Sequence, residues 1–413
     1  MIDIKDKHNC CGCEACSSIC PKKCITMKEA FDGFLYPQVD KNQCINCHLC
    51  EKVCPFLNNN REKSECNNSE LIANRIEQSI SNIGCYACFN NDIQIRNNST
   101  SGGFFTALAD YVLKNGGYVC GAIFNEFFAI EHMMTNKKDD VSKMRGSKYV
   151  QSKLNGIFTK IKKQLEENYY VLFSGTPCQV EGLHRFLGRE YEKLITVDFV
   201  CHGVGSPKYW KKYLEYIKEH CHSKIVDIKF REKTYGYNSS CMAVYFENGK
   251  AFHKGHDDDK YLLPFFSDYI LRSSCYECKV KKLNHVADFT MGDFWNSSKL
   301  DTKFQEANGA TLLLIHSNKG NKLFNDICKQ LTYVAISLKD GLIVNSGKNM
   351  SMLLDSTKEP KNRTEFFNDL EKMEIRKLLN KHIPLSMKRK IAYTIKPILY
   401  KLGVLEKMKR LIK

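Results

Sequence analysis

Apolar positions between Ser101 and Asn115 recur at helical spacing: Phe104, Leu108, Tyr111 and Val112 share one face, and Gly116-Gly117 ends the run. Tyr118 to Phe124 then reads as a strand. Leu154, Ile157, Phe158, Ile161 and Leu165 mark a second helix, and Tyr169 to Phe173 a buried strand. A helix follows Cys178, then a strand from Leu194 to Val200 and a helix from Pro207 to His220. This alternation predicts an α/β body around a partly parallel sheet. Ile225 to Arg231 and Cys241 to His253, the latter turning at Asn248-Gly249, add antiparallel strands, so the sheet is expected to be mixed. Ala310 to Ile315 reads as one more buried strand.

The pattern fades at both flanks. Asn, Ser, Glu and Arg crowd residues 57–82, with few apolar residues before Leu71, and Cys66 stands there without partner spacing. That composition predicts a linker, placed at 61–82. Near the end, Met387, Ile391, Ile395, Ile398, Leu402, Leu405, Met408 and Ile412 keep helical spacing among Lys and Arg, with a break expected at Pro397. A basic amphipathic helix of this kind packs on the body or a partner, or lies on an anionic membrane surface.

With 413 residues, 43% apolar and 26% charged, the chain has the length for two or three domains and real cores, which excludes a disordered or fibrous protein. No run approaches the roughly 18 apolar residues of a spanning helix. The acidic start Met1-Ile2-Asp3-Ile4-Lys5-Asp6 has no apolar leader segment, so a cytoplasmic protein is expected. The net charge is +16, of which residues 381–413 carry +9, with ten Lys and Arg against Glu406. The basic excess is thus largely a property of the tail, and no nucleic-acid-binding signature accompanies it.

The 21 cysteines change the picture. An odd count in a chain expected to be cytoplasmic indicates metal or redox chemistry rather than disulfides. Cys10, Cys13, Cys16 and Cys20-Pro21 form C-x2-C-x2-C-x3-C-P, repeated at Cys44, Cys47, Cys50 and Cys54-Pro55. Three thiolates two residues apart wrap one four-iron cubane, and the fourth points to the other cluster. The expected sets are therefore Cys10, Cys13, Cys16 and Cys54, and Cys44, Cys47, Cys50 and Cys20. Residues 1–60 resemble bacterial two-cluster ferredoxins, in a segment too small to fold without its clusters as staples. Structural zinc is the competing reading, but two CxxC pairs would satisfy zinc and would not need the third regular cysteine and the Cys-Pro. Cys11 and Cys24 fall outside the register.

Two strand-to-helix junctions in the body also carry cysteine: Phe173-Ser174-Gly175-Thr176-Pro177-Cys178-Gln179 and Phe199-Val200-Cys201-His202-Gly203. Loops after parallel strands line the ligand-binding edge of open α/β sheets. Cys275-x2-Cys278 could add two thiolates there. Spacing alone leaves four options open: a third four-iron site, packing cysteines, a redox-active pair, or zinc. Cys85-x2-Cys88 lies within an apparent strand and is expected to be structural. Ser99-Thr100-Ser101-Gly102-Gly103 opens a helix, as either a phosphate cradle or an ordinary cap.

Five motifs occur in order: Asn98 to Gly103, Gly146 to Ser152, Ser174 to Gln179, Asp198 to Gly203 and Met291-Gly292-Asp293-Phe294-Trp295, with Cys275-x2-Cys278 before the last. From about residue 83 to 345 the chain resembles the coenzyme F420 hydrogenase/dehydrogenase beta-subunit family. The implied organisation is a ferredoxin-type domain at 1–60, a linker at 61–82, N-terminal-like and C-terminal-like regions of that family at 83–165 and 166–345, and a helical basic tail at 346–413. The implied fold is α+β/α/β, a two-cluster ferredoxin followed by an α/β flavin-binding domain with a mixed sheet. The resemblance also implies FAD and a third [4Fe-4S] cluster on Cys178, Cys201, Cys275 and Cys278. It points to flavin contacts at Ser99, Ser101, Gly102, Gly103, Lys148, Tyr149, Gln151 and Thr176. Gly205, Ser274 and Asn296 depart from the family pattern without removing a proposed ligand. Family members occur in hosts without the deazaflavin, often beside genes for surface polysaccharide synthesis, so the family name does not specify the substrate.

Clusters pass single electrons and a flavin exchanges a hydride, so the expected activity is conversion between one-electron and two-electron carriers. His202 and Asp293 beside the site are candidates for proton transfer, against structural roles. The expected partner is a redox protein or a small hydride carrier, with possible membrane contact through residues 381–413. The rival expectation is a non-catalytic subunit that delivers electrons to another enzyme.

Overall fold

The computed structural model describes residues 1–58, 83–295, 297, 303–304, 308–338 and 352–385. The predicted linker, Cys66, Asn296 and the apolar series from Met387 to Ile412 lie outside them.

The N-terminal module folds twice through the same backbone path. Gly12 and Asn46, each just before the second cysteine of its repeat, have φ of 70° and 50°. Glu14 and His48, just after it, have φ of 57° and 58° and cap the short helices α1 (Ala15–Ile19) and α2 (Leu49–Lys52). Left-handed residues on both sides of a cysteine curl the loop tightly, at a cost that Glu and His bear without glycine's freedom. Strands β1 (Ile25–Glu29) and β2 (Leu35–Val39) close the module as an antiparallel pair.

The body is built on an eight-stranded sheet whose strands are β3 (Gly84–Asn90), β4 (Tyr118–Phe124), β5 (Ile130–Thr135), β6 (Val171–Ser174), β7 (Leu194–Phe199), β11 (Phe289–Asp293), β12 (Thr311–Ile315) and β13 (Leu331–Ala335). Their order is β13-β3-β12-β11-β7-β6-β4-β5. The centre, β4-β6-β7-β11, is parallel and both flanks are antiparallel, so the sheet is mixed, though through β3, β5, β12 and β13 and not through the antiparallel strands predicted at 225–253, which form a sheet of their own. Val171-Leu172-Phe173 and Leu194 to Val197 are buried along their whole length, which is why these strands read as continuous apolar runs rather than alternating ones. Strand β3, from the first half of the body, sits between β12 and β13 of the second half. The two regions therefore share one core and are not separate folding units.

Helix α4 (Phe104–Lys114) opens at Phe104, directly after the Ser99–Gly103 segment as the sequence predicts, and Gly103, left-handed at φ 89°, forms its N-cap. Helix α6 (Ile157–Glu166) buries Ile157, Phe158, Ile161 and Leu165, the predicted face. Helix α7 (Pro177–Leu187) starts from a capping box of Thr176 and Gln179 with Pro177 in its first turn. Helix α8 (Pro207–Cys221) packs Tyr209, Trp210 and Tyr213 against a separate three-stranded antiparallel sheet of β8 (Ile225–Glu232), β9 (Cys241–Phe246) and β10 (Ala251–Lys254). Helices α12 (Arg363–Leu370) and α13 (Ile375–His382) add Phe366, Phe367, Leu370, Leu378 and Leu379 to that core. This part of the segment expected as a tail is body.

Candidate functional site

The N-terminal cysteines gather in two groups. Cys16 feels the charges of Cys13, Cys10 and Cys54, and Cys54 those of Cys13 and Cys10, so these four converge. Cys20, Cys44, Cys47 and Cys50 line a second pocket together with Cys24, whose Sγ lies 3.4 Å from that of Cys20. Both sets match the partition that the spacing predicts. Backbone N–H groups point at the sulfurs: Gly12 toward Cys10, Ser17 toward Cys16, Lys22, Lys23 and Cys24 toward Cys20, Phe56 and Leu57 toward Cys54. The Ile2 N–H donates to Cys50 Sγ at 3.3 Å. Such donors stabilise thiolate sulfur bound to iron. Burial pushes the Cys54 thiol up to about 11 and also raises Cys16 well above its ordinary value, so iron binding there displaces protons.

The body brings its own four cysteines together. Cys201 feels the charges of Cys275, Cys178 and Cys278, and all four line one pocket. Cys178 stands in the first turn of α7, Cys201 in the loop after β7, and Cys275 in the short helix α10 (Ser273–Tyr276). Gly205 ties these loops by isolated bridges to Val150 on one side and Leu271 on the other. Gly203 passes so near that a Cβ there would lie 3.4 Å from Cys275 Cβ. Lys281 donates to the Cys201 carbonyl at 2.6 Å. Cys85 and Cys88 instead enter two different cores on opposite faces of β3.

Cys11, outside the register of the motif, links the two regions. Its buried thiol lies beside those of Cys13 and Cys178, and this closeness raises the pKa of Cys11 while lowering that of Cys178. The N-terminal module is thus seated directly on the body's cysteines. Glu14 accepts hydrogen bonds from the Leu154 and Asn155 N–H groups at 3.0 and 3.1 Å, and Gly182 of α7 leaves room for Cys13. Arg272, fully buried, donates to the Cys10 carbonyl at 2.7 Å, the Leu35 carbonyl at 2.9 Å, Gln151 Oε1 at 2.7 Å and Cys10 Sγ at 3.4 Å.

Beyond Cys178 and Cys201 opens a cavity of about 850 Å³ at the C-terminal edge of the parallel strands. Of the residues expected there, Ser99, Ser101, Gly103, Lys148, Tyr149, Gln151 and Thr176 line it. Gly102 does not. Its N–H donates to Thr311 Oγ1, and a Cβ would strike the Cys88 carbonyl at 2.4 Å, so its task is close packing against the sheet. Several of the others already have partners: Lys148 donates to the Arg145 and Gly146 carbonyls, Gln151 to the Cys11 and Gly12 carbonyls, and Thr176 closes the cap of α7. Burial brings Lys148 down to about 8.

His202 and Asp293 also line the cavity: His202 Nε2 lies 2.8 Å from Asp268 Oδ1, and Asp293 forms an ion pair with Arg231 at 2.8 Å. Arg231 also donates to the Tyr149 hydroxyl, and the Tyr149 ring stacks on Phe265 at 4.8 Å. Sequence reasoning missed Arg231, Arg272 and Cys11. Arg272 has a visible signal, a lone cation after Tyr269-Ile270-Leu271 and three residues before Cys275. Arg231 ends an alternating strand and has none.

Thiol groups of this kind, with N–H donors to sulfur on a ferredoxin-like module, define an iron–sulfur electron-transfer protein. Residues 9–58 match the 4Fe-4S dicluster domain model. The chain belongs to the coenzyme F420 hydrogenase/dehydrogenase beta-subunit family, matching its N-terminal model over residues 85–158 and its C-terminal model over 169–340. No curated protein sequence matches it. Among solved structures, a chain of the F420-reducing [NiFe] hydrogenase complex from Methanosarcina barkeri overlaps 66% of this chain and 90% of its own length, at 17% identity and a TM-score of 0.42. That overlap is too loose to place any residue. No helix among the described residues is long and apolar enough to cross a membrane.

Proposed function

We propose that the chain is an iron–sulfur flavoprotein oxidoreductase that passes electrons between three four-iron sites and FAD. The single observation that carries this reading is continuity: Cys11 touches Cys13 of one thiol group and Cys178 of another, and Cys178 and Cys201 border both that group's pocket and the large cavity. The sites would be held by Cys20, Cys44, Cys47 and Cys50, by Cys10, Cys13, Cys16 and Cys54, and by Cys178, Cys201, Cys275 and Cys278. The first of these holds the exposed Cys47 and so faces an external donor or acceptor.

The cavity fits a dinucleotide cofactor in volume and lining. The N-terminus of α4 reaches it through Gly103, Phe104 and Phe105, offering first-turn N–H groups and a positive dipole end to phosphate. Arg145, held by its Nε–H to Thr106 Oγ1, adds charge beside them. FAD would supply exchange between single electrons and a hydride. The organic partner is a deazaflavin of the F420 type or another small acceptor, with a role in surface polysaccharide synthesis as one setting.

The second reading is a non-catalytic electron-delivery subunit of a larger redox complex. The pairing of Asp293 with Arg231 favours it, because a carboxylate engaged by a guanidinium is no ready proton donor to the cavity. Anaerobic reconstitution separates the outcomes: about twelve irons and one FAD per chain are expected. Bleaching of the bound flavin by a soluble hydride donor selects the enzyme, and an unresponsive flavin selects the delivery subunit. Eight irons and no flavin defeat the flavoprotein reading altogether. For residues 381–413 the proposal includes contact with the inner face of a membrane. Sedimentation with anionic liposomes tests it, and equal binding by the full chain and one ending at Lys381 ends it.

A further inference from the structure

Arg272 presents an electrostatic problem whose solution says something new about the wire. Its side chain is among the largest with no exposed surface at all. Its acceptors are two backbone carbonyls, one amide oxygen and one thiol, with the guanidinium also over the Tyr36 ring at 4.3 Å. No carboxylate is among them. A fully buried cation without a counter-charge costs several kcal/mol, and carbonyl dipoles offset only part of that. The nearest group able to carry negative charge is the Cys10 sulfur at 3.4 Å, followed by the Tyr36 phenol and then by the sulfurs of Cys11 and Cys275. Arg272 also borders the pocket of Cys178, Cys201, Cys275 and Cys278. It therefore stands between two of the three thiol groups and draws its compensation from them.

We propose that Arg272 is the fixed positive charge that makes the Cys10, Cys13, Cys16 and Cys54 site the readier electron acceptor of its neighbours and so draws electrons inward through the N-terminal module. This rests on the reading of these thiols as iron–sulfur ligands. Reduction of a four-iron site adds one electron from the donor and one unit of negative charge. No bond breaks, and no proton moves because a guanidinium stays charged throughout. A buried charge and a charge-assisted N–H to sulfur favour the reduced state, since low dielectric strengthens both. The other cations nearby are placed differently: Lys279 donates to the Phe56 carbonyl and Asn9, and Lys281 to the Cys201 carbonyl, neither to a sulfur. Docking alone does not require a charge here, because the two carbonyls and the Gln151 oxygen would accept equally from a neutral donor.

The test is a dithionite titration of the reconstituted full chain followed by electron paramagnetic resonance, with iron per chain measured in parallel, for the wild type, Arg272→Gln and Arg272→Lys. In Arg272→Gln at full iron content, the reduction constant of one site is expected to fall on the order of tenfold, about 59 mV for a one-electron couple. Arg272→Lys restores most of it. Unshifted midpoints in a fully loaded Arg272→Gln protein overturn the proposal. If Arg272→Gln loses iron, recovery of iron in Arg272→Lys supports a charge role, and loss in both overturns it in favour of a purely structural guanidinium. A wild type that binds fewer than about twelve irons fails the preceding reading instead, before any variant is compared.

Discussion

Single side chains set the chemistry of each station. A Cys275→Ala/Cys278→Ala double variant removes half the thiols of the body's pocket, and iron is expected to drop from about twelve to about eight per chain while the N-terminal sites survive. Iron analysis with absorbance near the cluster bands reads this directly. His132 is a second residue-scale case. It is buried beside the cavity, and burial brings its imidazole down to about 4 although its Nε2 bonds the Ser174 carbonyl at 3.0 Å. The folded chain keeps it neutral while the unfolded chain takes up a proton below about 6.5. Stability is therefore full above that value and falls by roughly 3 kcal/mol as the pH drops toward 4. His132→Gln should flatten that dependence in acid-induced unfolding followed by circular dichroism.

Elements hold these residues in register, and α7 shows how. Its capping box places Cys178 in the first turn, and one turn on, Gly182 lets α1 and Cys13 approach. A Cβ on Gly182 would lie 2.9 Å from both Cβ and Sγ of Cys13, an overpacked contact against a residue that iron would also fix. Gly182→Ala is expected to cost about 1–3 kcal/mol and to lower iron retention at the Cys10 group. Wild-type iron content and wild-type melting in that variant would show that the two elements have slack. The start of α7 was legible from Thr176-Pro177-x-Gln179 and that of α4 from the Ser99–Gly103 segment, but the residue that caps α4 was not. Ser99 and Ser101 both look like helix caps, yet they bond the Ile95 carbonyl and Thr311, leaving Gly103 as the cap.

At the scale of the molecule, the N-terminal module is locked to the far end of the chain. Asp32 of the module is fully buried and pairs with Arg363 Nη2 of α12 at 3.1 Å, with Arg363 itself nearly inaccessible. Ser206, the N-cap of α8, and Lys208 in its first turn add bonds to the Asp32 and Phe31 carbonyls. Arg363→Ala leaves a buried carboxylate alone, which costs about 3–5 kcal/mol. A lower thermal midpoint together with faster proteolysis near residues 57–82 is the expected signature, and an unchanged midpoint would mean the module holds without this pair. Such locking suits electron passage, since thiol-to-thiol contact at Cys11 depends on module and body keeping one relative position.

What the chain determined by itself was whatever depends on short spacing. The paired cysteine motifs, the α/β alternation and the β9–β10 turn are all local patterns, because ligand loops, helix faces and tight turns are built from neighbours in sequence. The juxtapositions were decided by tertiary structure alone. Cys178, Cys201, Cys275 and Cys278 meet only because β7 lies beside β6 and Gly205 bridges the loops that carry them. Cys11 acquires its place between two thiol groups from the docking of the module, and Arg272 its missing counter-charge from the same contact. Burial, electrostatic environment and the order of stations along an electron path are properties of surfaces brought together, and no periodicity along one strand of sequence encodes which surfaces those will be.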